Sequence, residues 1–357
     1  MRILVTGGAG FISSHFFDRL REEGHELVSL DLVEPTWDPG RAEMRRGDIR
    51  DKDAVREAMR GCDAVLHLAA AHHDFGIERP TFFDVNETGT RVLTEVMDEY
   101  GIRRICFFST VAVFGDAPEP HHEEAPKAPN SPYGESKLAG EAVLRSWSEK
   151  GEGREVLVIR PTVTYGPGNF ANMYSLIRQV DSGKFFQVGR GDNIKSLSYV
   201  ENLVGAVIFL WKRETAPAFD DFNYIDKPDL TSAAITRAVY KSLGKEGPKL
   251  KVPMWFALLA ALPFDIVIKL TGRNLPVSSA RIKKLFAART KYESDKLREA
   301  GYRPPVSIEE GIDRMVKWYQ AEGKGKEAVW NLPPAEVQRF DADRAAPPAS
   351  ATAAAGA

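Results

Sequence analysis

In "SPYGESKLAGEAVL" Tyr133 and Lys137 stand four residues apart, just after Ser131 and Pro132, where the pattern turns helical. That spacing puts both side chains on one helix face. An ammonium beside a phenol favours the phenolate and draws its pKa below the reference of about 10, giving a base that works near neutrality. The pair also arises by chance on helix surfaces, so its surroundings decide. Upstream, "CFFSTVAVFG" ends an apolar run on Ser109 and Thr110. A hydroxyl at the carboxyl end of a strand can hydrogen-bond a reacting oxygen beside the tyrosine. The plainer role is to satisfy strand-end backbone groups.

A second constellation opens the chain. "RILVTGGAGFISSH" (residues 2–15) runs from an apolar strand pattern through Gly7 and Gly10 into a helical pattern ending at Gly24. Such a turn aims backbone N–H groups and a helix N-terminus at an anion, and the missing side chains let a pyrophosphate approach. The implied ligand is a dinucleotide. The next β-type run, "ELVSLDLVEP", carries Asp31 about 20 residues on, where a carboxylate accepts hydrogen bonds from both adenosine ribose hydroxyls. No Lys or Arg follows closely to meet a 2′-phosphate, so NAD is favoured over NADP. Ser13 stands where such loops usually carry a third glycine; it is small enough for close packing but brings a hydroxyl to satisfy.

The elements that position these groups follow a regular rhythm. "RILVT", "ELVSLD", "AVLHLAA", "RRICFFS" and "EVLVIRP" read as strands separated by amphipathic stretches. The expectation is an α/β fold, a doubly wound parallel sheet of Rossmann type with a smaller C-terminal substrate-binding lobe. The boundaries read as 1–165 for the dinucleotide-binding domain, into which later segments can return, 166–320 for the lobe and 321–357 for a disordered tail. Helices are expected at about 171–182, 200–213, 231–242 and 277–288. The most apolar stretch, "WFALLAALPFDIVIKLTG" at 255–272, is broken by Pro263 and Asp265 and falls short of the roughly 20 residues a bilayer span needs. It reads as a buried or groove-lining helix pair, with an interfacial helix the alternative.

Composition narrows the partners. With 48 Lys and Arg against 50 Asp and Glu the formal charge is −2, and no long basic block argues for nucleic acid. Cys62 and Cys106 are the only cysteines and read as buried, reduced thiols. The first residues enter a strand pattern directly, without a charged leader and apolar signal region, so a cytoplasmic location is expected.

Together these segments resemble the extended short-chain dehydrogenases/reductases, close to the NAD-dependent nucleotide-sugar epimerase/dehydratase group. The similarity runs in order through "TGGAGFI", Asp31, "GDIRD" (47–51), "HLAA" (67–70), "VNETGT" (85–90), "STVAVFG" (109–115), "YGESK" (133–137), "RPTVTYGPGN" (160–169) and "SYVENLVGA" (198–206). The resemblance implies that Gly7, Gly10, Phe11 and Ile12 hold the pyrophosphate, Asp31 the ribose, and Asp48 and Ile49 the adenine. Leu68, Ala69 and Ala70 line the far side of the cofactor, and Pro161 and Val163 face the nicotinamide. Tyr133 is then the base, Lys137 its partner and Thr110 the assisting hydroxyl. Asn169, Gly189 and Lys195 fall where the group contacts the substrate's nucleotide and diphosphate, with Lys195 in place of a frequent Arg. The resemblance also implies a homodimer, paired through the helices after Thr81 and Pro132.

Members that dehydrate a hexose carry Asp-Glu directly after the catalytic hydroxyl; here those positions are Val111 and Ala112, which transfer no proton. The expectation that remains is hydride transfer at a secondary alcohol, most simply 4-epimerisation of a nucleotide sugar through a transient 4-ketone. Ketoreduction of such a sugar is an alternative. "GRGDNIKSLSYVENLVGAVIFL" also resembles the 3β-hydroxysteroid dehydrogenases, so oxidation of a sterol alcohol is another. A non-catalytic dinucleotide sensor is disfavoured by the complete Thr110, Tyr133 and Lys137 set. His72, with His73 and Asp74 beyond a strand end, reads either as substrate-binding or as solvated loop. His121 and His122 lie in "PEPHHEEAP", read as a solvent-facing loop; adjacent histidines point apart, and no metal site is expected.

Overall fold

The computed structural model describes residues 1–35, 39–73, 76–115, 117, 119–213, 215–248, 251–271, 279, 291–326 and 337. The expected helix at 277–288 lies almost wholly outside them, and so do 327–336 and 338–357 of the expected tail. Helical geometry continues through Tyr319–Gly323, past the point where the apolar pattern fades.

The strands are β1 (Arg2–Thr6), β2 (Glu26–Asp31), β3 (Glu43–Arg46), β4 (Ala64–His67), β5 (Arg104–Phe108), β6 (Glu155–Pro161), β7 (Val163–Tyr165), β8 (Gln187–Val188), β9 (Ile194–Tyr199), β10 (Phe219–Tyr224), β11 (Asp226–Thr231) and β12 (Lys251–Val252). Seven form one sheet in the order β10-β6-β5-β4-β1-β2-β3, every pairing parallel. β1 buries Ile3, Leu4 and Val5 in succession, which requires cover on both faces. Ile3 and Val5 pack into a cluster with Phe16 and Phe17 of α1 (Phe11–Glu22) and Val207 of α7 (Val200–Trp211). Leu4 joins Val55 of α2 (Lys52–Met59), Met97 of α4 (Gly89–Tyr100) and Leu144 of α5 (Pro132–Ser148) on the other face. The short α3 (Arg79–Phe83) leads into a π-turn at Asp84–Thr88.

Two edge strands escape the sequence rhythm. β3, "EMRR", is short and largely exposed, while β10 comes from beyond residue 166 and pairs in register with β6. β3 buries little, so its apolar signal is weak, while β10 buries Phe222 and Tyr224 but interleaves them with Asp220, Asp221 and Asn223, which breaks the apolar run.

The remaining strands build the lobe. β11, β9 and β7 form one small sheet and β12 pairs with β8. They pack with α6 (Asn172–Asp181), α8 (Ser232–Ser242) and the helix Ile308–Trp318 around Tyr165, Ile177, Tyr199, Val239 and Met315. The expected helices at 171–182, 200–213 and 231–242 correspond to α6, α7 and α8.

The apolar stretch at 255–272 departs from expectation. It forms a single helix, α9 (Met254–Thr271), with Pro263 inside it, rather than a pair. Ala257 and Ala261 are buried, while Trp255, Leu259, Leu262, Ile266 and Leu270 lie open to solvent. Among the described residues no helix is long and apolar enough to cross a membrane.

Candidate active site

The strand order reverses between β1 and β4, and a crevice opens there at the carboxyl ends of the strands. Gly7 follows β1 with φ +71°, and a Cβ on it would lie 2.6 Å from the Ala69 amide nitrogen beyond β4. Only glycine meets both demands. The turn closes with the Gly10 N–H donating to the Gly7 carbonyl at 3.1 Å, and α1 begins at Gly10 with no side-chain cap on its first amides. Ser13 sits fully buried and donates its hydroxyl to the Gly7 carbonyl at 2.6 Å. The replaced glycine therefore fastens the loop from inside. Asp31 ends β2, its carboxylate accepting from Ala9 N–H at 2.9 Å and Val33 N–H at 3.2 Å. Burial raises its pKa, which these backbone donors oppose.

Ser131 caps α5, accepting from the Gly134 N–H at 3.2 Å, and Pro132 fills the first helical position, where no amide is needed. Gly134 lets the helix start approach the turn after β5: a Cβ there would meet the Ala112 carbonyl oxygen at 2.6 Å. In that turn Thr110 caps Val111–Val113, its hydroxyl oxygen accepting from the Ala112 N–H at 3.2 Å. With a lone pair so engaged, the Thr110 hydroxyl keeps its proton free toward Tyr133, whose pKa it lowers. Contrary to the lowering expected from a neighbouring ammonium, burial pushes the Tyr133 hydroxyl up to about 12, because desolvation outweighs the opposing Thr110 hydroxyl. Lys137, one turn on, is fully buried without a hydrogen-bond partner among the described residues. Burial lowers it to about 7, opposed by Glu141.

Groups not singled out in the sequence surround this pair. His67, fully buried, bridges Thr6 at 2.7 Å and Thr90 at 3.1 Å. Burial and the charge of Lys137 hold it well below its ordinary pKa, so it is neutral. Asn86, in the π-turn, accepts from Ala71 N–H at 2.9 Å and donates to the Ala71 carbonyl and to Ser136 Oγ, tying the β4 loop to α5. π-turns are frequent at functional sites. Glu141, one turn beyond Lys137, accepts from Ser109 Oγ and from both Nε and Nη2 of Arg160, the latter two at 2.8 and 2.7 Å; Arg160 also pairs with Asp221 at 2.7 Å. Ser109 thus faces a buried ion pair, while Thr110 faces the tyrosine. Only the helical spacing of Glu141 from Lys137 hinted at this: its partners, Ser109 and Arg160, lie after β5 and on β6, and the partner of Arg160, Asp221, lies on β10.

The other expected site residues divide. Leu68, Ala69 and Ala70 follow β4 against the glycine turn, with the Leu68 N–H bound to the Thr6 carbonyl. Asp48 has its carboxylate held by Arg50, and Ile49 is buried beneath Gly89. Pro161 is buried at the end of β6, and Val163 is 45% exposed. Asn169 is buried and occupied locally, accepting from the Ala171 N–H at 2.7 Å. Gly189 donates its N–H to the Val252 carbonyl, and Lys195 lies half-buried on β9.

Two expectations about histidines are corrected. His121 is buried, its ring stacked 5.3 Å from that of Phe114, because the Asn223 side-chain amide and the Glu293 N–H both donate to its backbone carbonyl and fold the loop inward. His72 and His73 do not point apart; their rings lie 4.3 Å from one another. His72 is exposed, and Asp74 lies outside the described residues. Among the described residues no group of three or more metal-ligating side chains converges.

The glycine turn, the uncapped start of α1, Asp31 and the orphaned Lys137 ammonium fit a dinucleotide with its ribose beside Lys137. Fold and site together define a Rossmann-type enzyme with a Thr-Tyr-Lys set. Residues 3–224 match the NAD dependent epimerase/dehydratase family, and the chain belongs to it as an NAD-dependent enzyme of the extended short-chain dehydrogenase/reductase type. It is similar to the N-acetyl-alpha-D-glucosaminyl-diphospho-ditrans,octacis-undecaprenol 4-epimerase of Escherichia coli O157:H7, 35% identical over 317 residues that cover 88% of this chain and 94% of that one. The UDP-glucose 4-epimerase of Vibrio cholerae is 29% identical over 88% of this chain and 94% of its own. The crystal structure of the Thermus thermophilus UDP-glucose 4-epimerase with NAD superposes with a TM-score of 0.70 at 26% identity, covering 90% of this chain and 100% of that one.

Proposed function

We propose that the protein epimerises C4 of a hexose carried on a diphosphate, with a nucleotide sugar as substrate. The observation that carries this reading is the complete Thr110, Tyr133 and Lys137 set next to Val111 and Ala112, which have no proton to give or take. Bound NAD would supply a hydride acceptor and return the hydride. Tyr133 would take the C4 hydroxyl proton while the C4–H bond breaks, which requires that ligand binding offset the burial that raises its own hydroxyl. Thr110 donates to the oxygen on which charge collects. Lys137 favours the phenolate and binds the ribose. After the ketone turns over, hydride returns to its other face and Tyr133 gives the proton back, so no net oxidation occurs.

For the substrate's far end we assign His72, Asn169, Gly189 and Lys195. For the cofactor we assign Gly7, Gly10, Phe11, Ile12, Asp31, Asp48, Ile49, Leu68, Ala69, Ala70, Pro161 and Val163. A polyprenyl diphosphate carrier is the second reading, favoured by the open apolar face of α9 and by the Escherichia coli relative. Mass spectrometry of ligands released from freshly purified protein, followed by turnover assays with a UDP-hexose and a polyprenyl-diphospho-hexose, tests both. A released sterol, or a stable ketone product, contradicts the epimerase reading.

We also propose a homodimer in the cytoplasm. A groove on α4 and α5, lined by Thr94, Ala139, Ala142, Val143 and Trp147, supports pairing through these helices, and both cysteines are free, as in a reducing compartment. Light scattering on the purified chain reports the subunit number.

A further inference from the structure

Along α9, Trp255, Leu259, Leu262, Ile266 and Leu270 recur at intervals of four, three, four and four residues and are all exposed, Trp255 at 67% and Leu270 at 79%. This spacing lines up one continuous apolar stripe. Ala257 and Ala261 mark the buried side. Phe256, Phe264 and Val267 widen the exposed surface. A stripe of this size facing water marks an interaction surface.

Charge identifies what it meets. Residues 266–291 hold seven cations, Lys269, Arg273, Arg281, Lys283, Lys284, Arg289 and Lys291, and no Asp or Glu, in a chain whose overall charge is −2. The Ser279 N–H donates to the Asp265 carboxylate at 3.0 Å, which engages the single acid of α9. Apolar stripe and concentrated positive charge together suit a lipid surface bearing anionic headgroups. Among the described residues no helix is long and apolar enough to cross.

We propose that α9 docks the protein on an anionic bilayer surface, its apolar stripe at the headgroup–acyl boundary and its exposed Lys269 against anionic headgroups. The helix starts beside the lobe, where a Cβ on Gly189 would lie 3.4 Å from Met254 Cε. Docking would therefore bring the diphosphate end of the cleft to the membrane, where a lipid-carried sugar diphosphate is held. This last purpose rests on the proposed function; the docking itself does not.

The test is co-sedimentation of the full chain with vesicles of phosphatidylcholine alone or with about a third phosphatidylglycerol. The expected result is pelleting with the anionic vesicles and release by about 0.5 M salt, which shortens the screening length to roughly 4 Å. Partition should fall by roughly a hundredfold or more in the triple variant Trp255→Glu, Leu259→Glu, Ile266→Glu. NAD titration of the same variant reports that the fold survives. Wild type remaining in the supernatant with anionic vesicles overturns the proposal, as does equal pelleting of the folded triple variant. A dimer in sedimentation velocity that the triple substitution splits, with no vesicle binding, assigns the stripe to a second copy instead. Turnover of a soluble nucleotide sugar without vesicle binding removes the docking alone, whereas vesicle binding without any epimerisation removes the reaction alone.

Discussion

The Lys137 ammonium lies 4.0 Å from the centre of the Phe107 ring. The ring face takes the place of the hydrogen-bond partner that a buried cation normally has, and the N–H donors stay without a partner among the described residues. Phe107 on β5 thus holds the lysine without competing for the bonds a ribose needs.

This arrangement predicts a pH-dependent stability. Burial depresses Lys137 from 10.5 to about 7. Below about pH 7 the folded protein carries a buried charge, and the full penalty is present. Between about 7 and 10.5 the folded state has released a proton that the unfolded chain still binds, so the penalty fades as pH rises. Cofactor-free Lys137→Met should melt above wild type at about pH 6, with the gap narrowing toward about pH 10, while its affinity for NAD falls. Thermal melts across that range check this; a gap independent of pH would show that Lys137 titrates alike in the folded and unfolded chain, so that burial does not depress it.

Tyr133→Phe should lower kcat by at least about a thousandfold while NAD affinity changes little, because the ring keeps its packing and only the transferable proton is lost. Retention of more than about a tenth of wild-type kcat, a loss under ~1.4 kcal/mol of barrier, would mean another group is the base.

Asp31→Ala should weaken NAD binding and narrow its preference over NADP. The carboxylate both anchors the loop through Ala9 and Val33 and leaves a negative charge where a 2′-phosphate would sit. Calorimetric titration of stripped protein with each dinucleotide measures both effects. Equal affinities in the wild type would remove the basis for the discrimination.

Deuterium at C4 of the substrate should reappear at C4 of the epimer, with NADH visible only transiently. Mass spectrometry and absorbance at the NADH band follow the two. Formation of a 4-keto-6-deoxy sugar would contradict the inertness assigned to Val111 and Ala112.

Much of the site was legible in the chain because its parts have local requirements. A pyrophosphate turn needs glycine where φ is positive, and a base and its lysine must sit one helical turn apart; both demands are met within a few consecutive residues, at Gly7 to Gly10 and at Tyr133 to Lys137. The alternation of apolar strand patterns with amphipathic stretches likewise specified a parallel sheet covered on both faces. Tertiary structure decided what depends on neighbours distant in sequence. β3 and β10 became edges, Glu141 found Arg160, which in turn found Asp221, His121 turned inward, and α9 was left open along its most apolar side. Burial is set by which surfaces meet when remote segments pack, and a run of apolar residues carries the tendency to be covered without specifying what covers it.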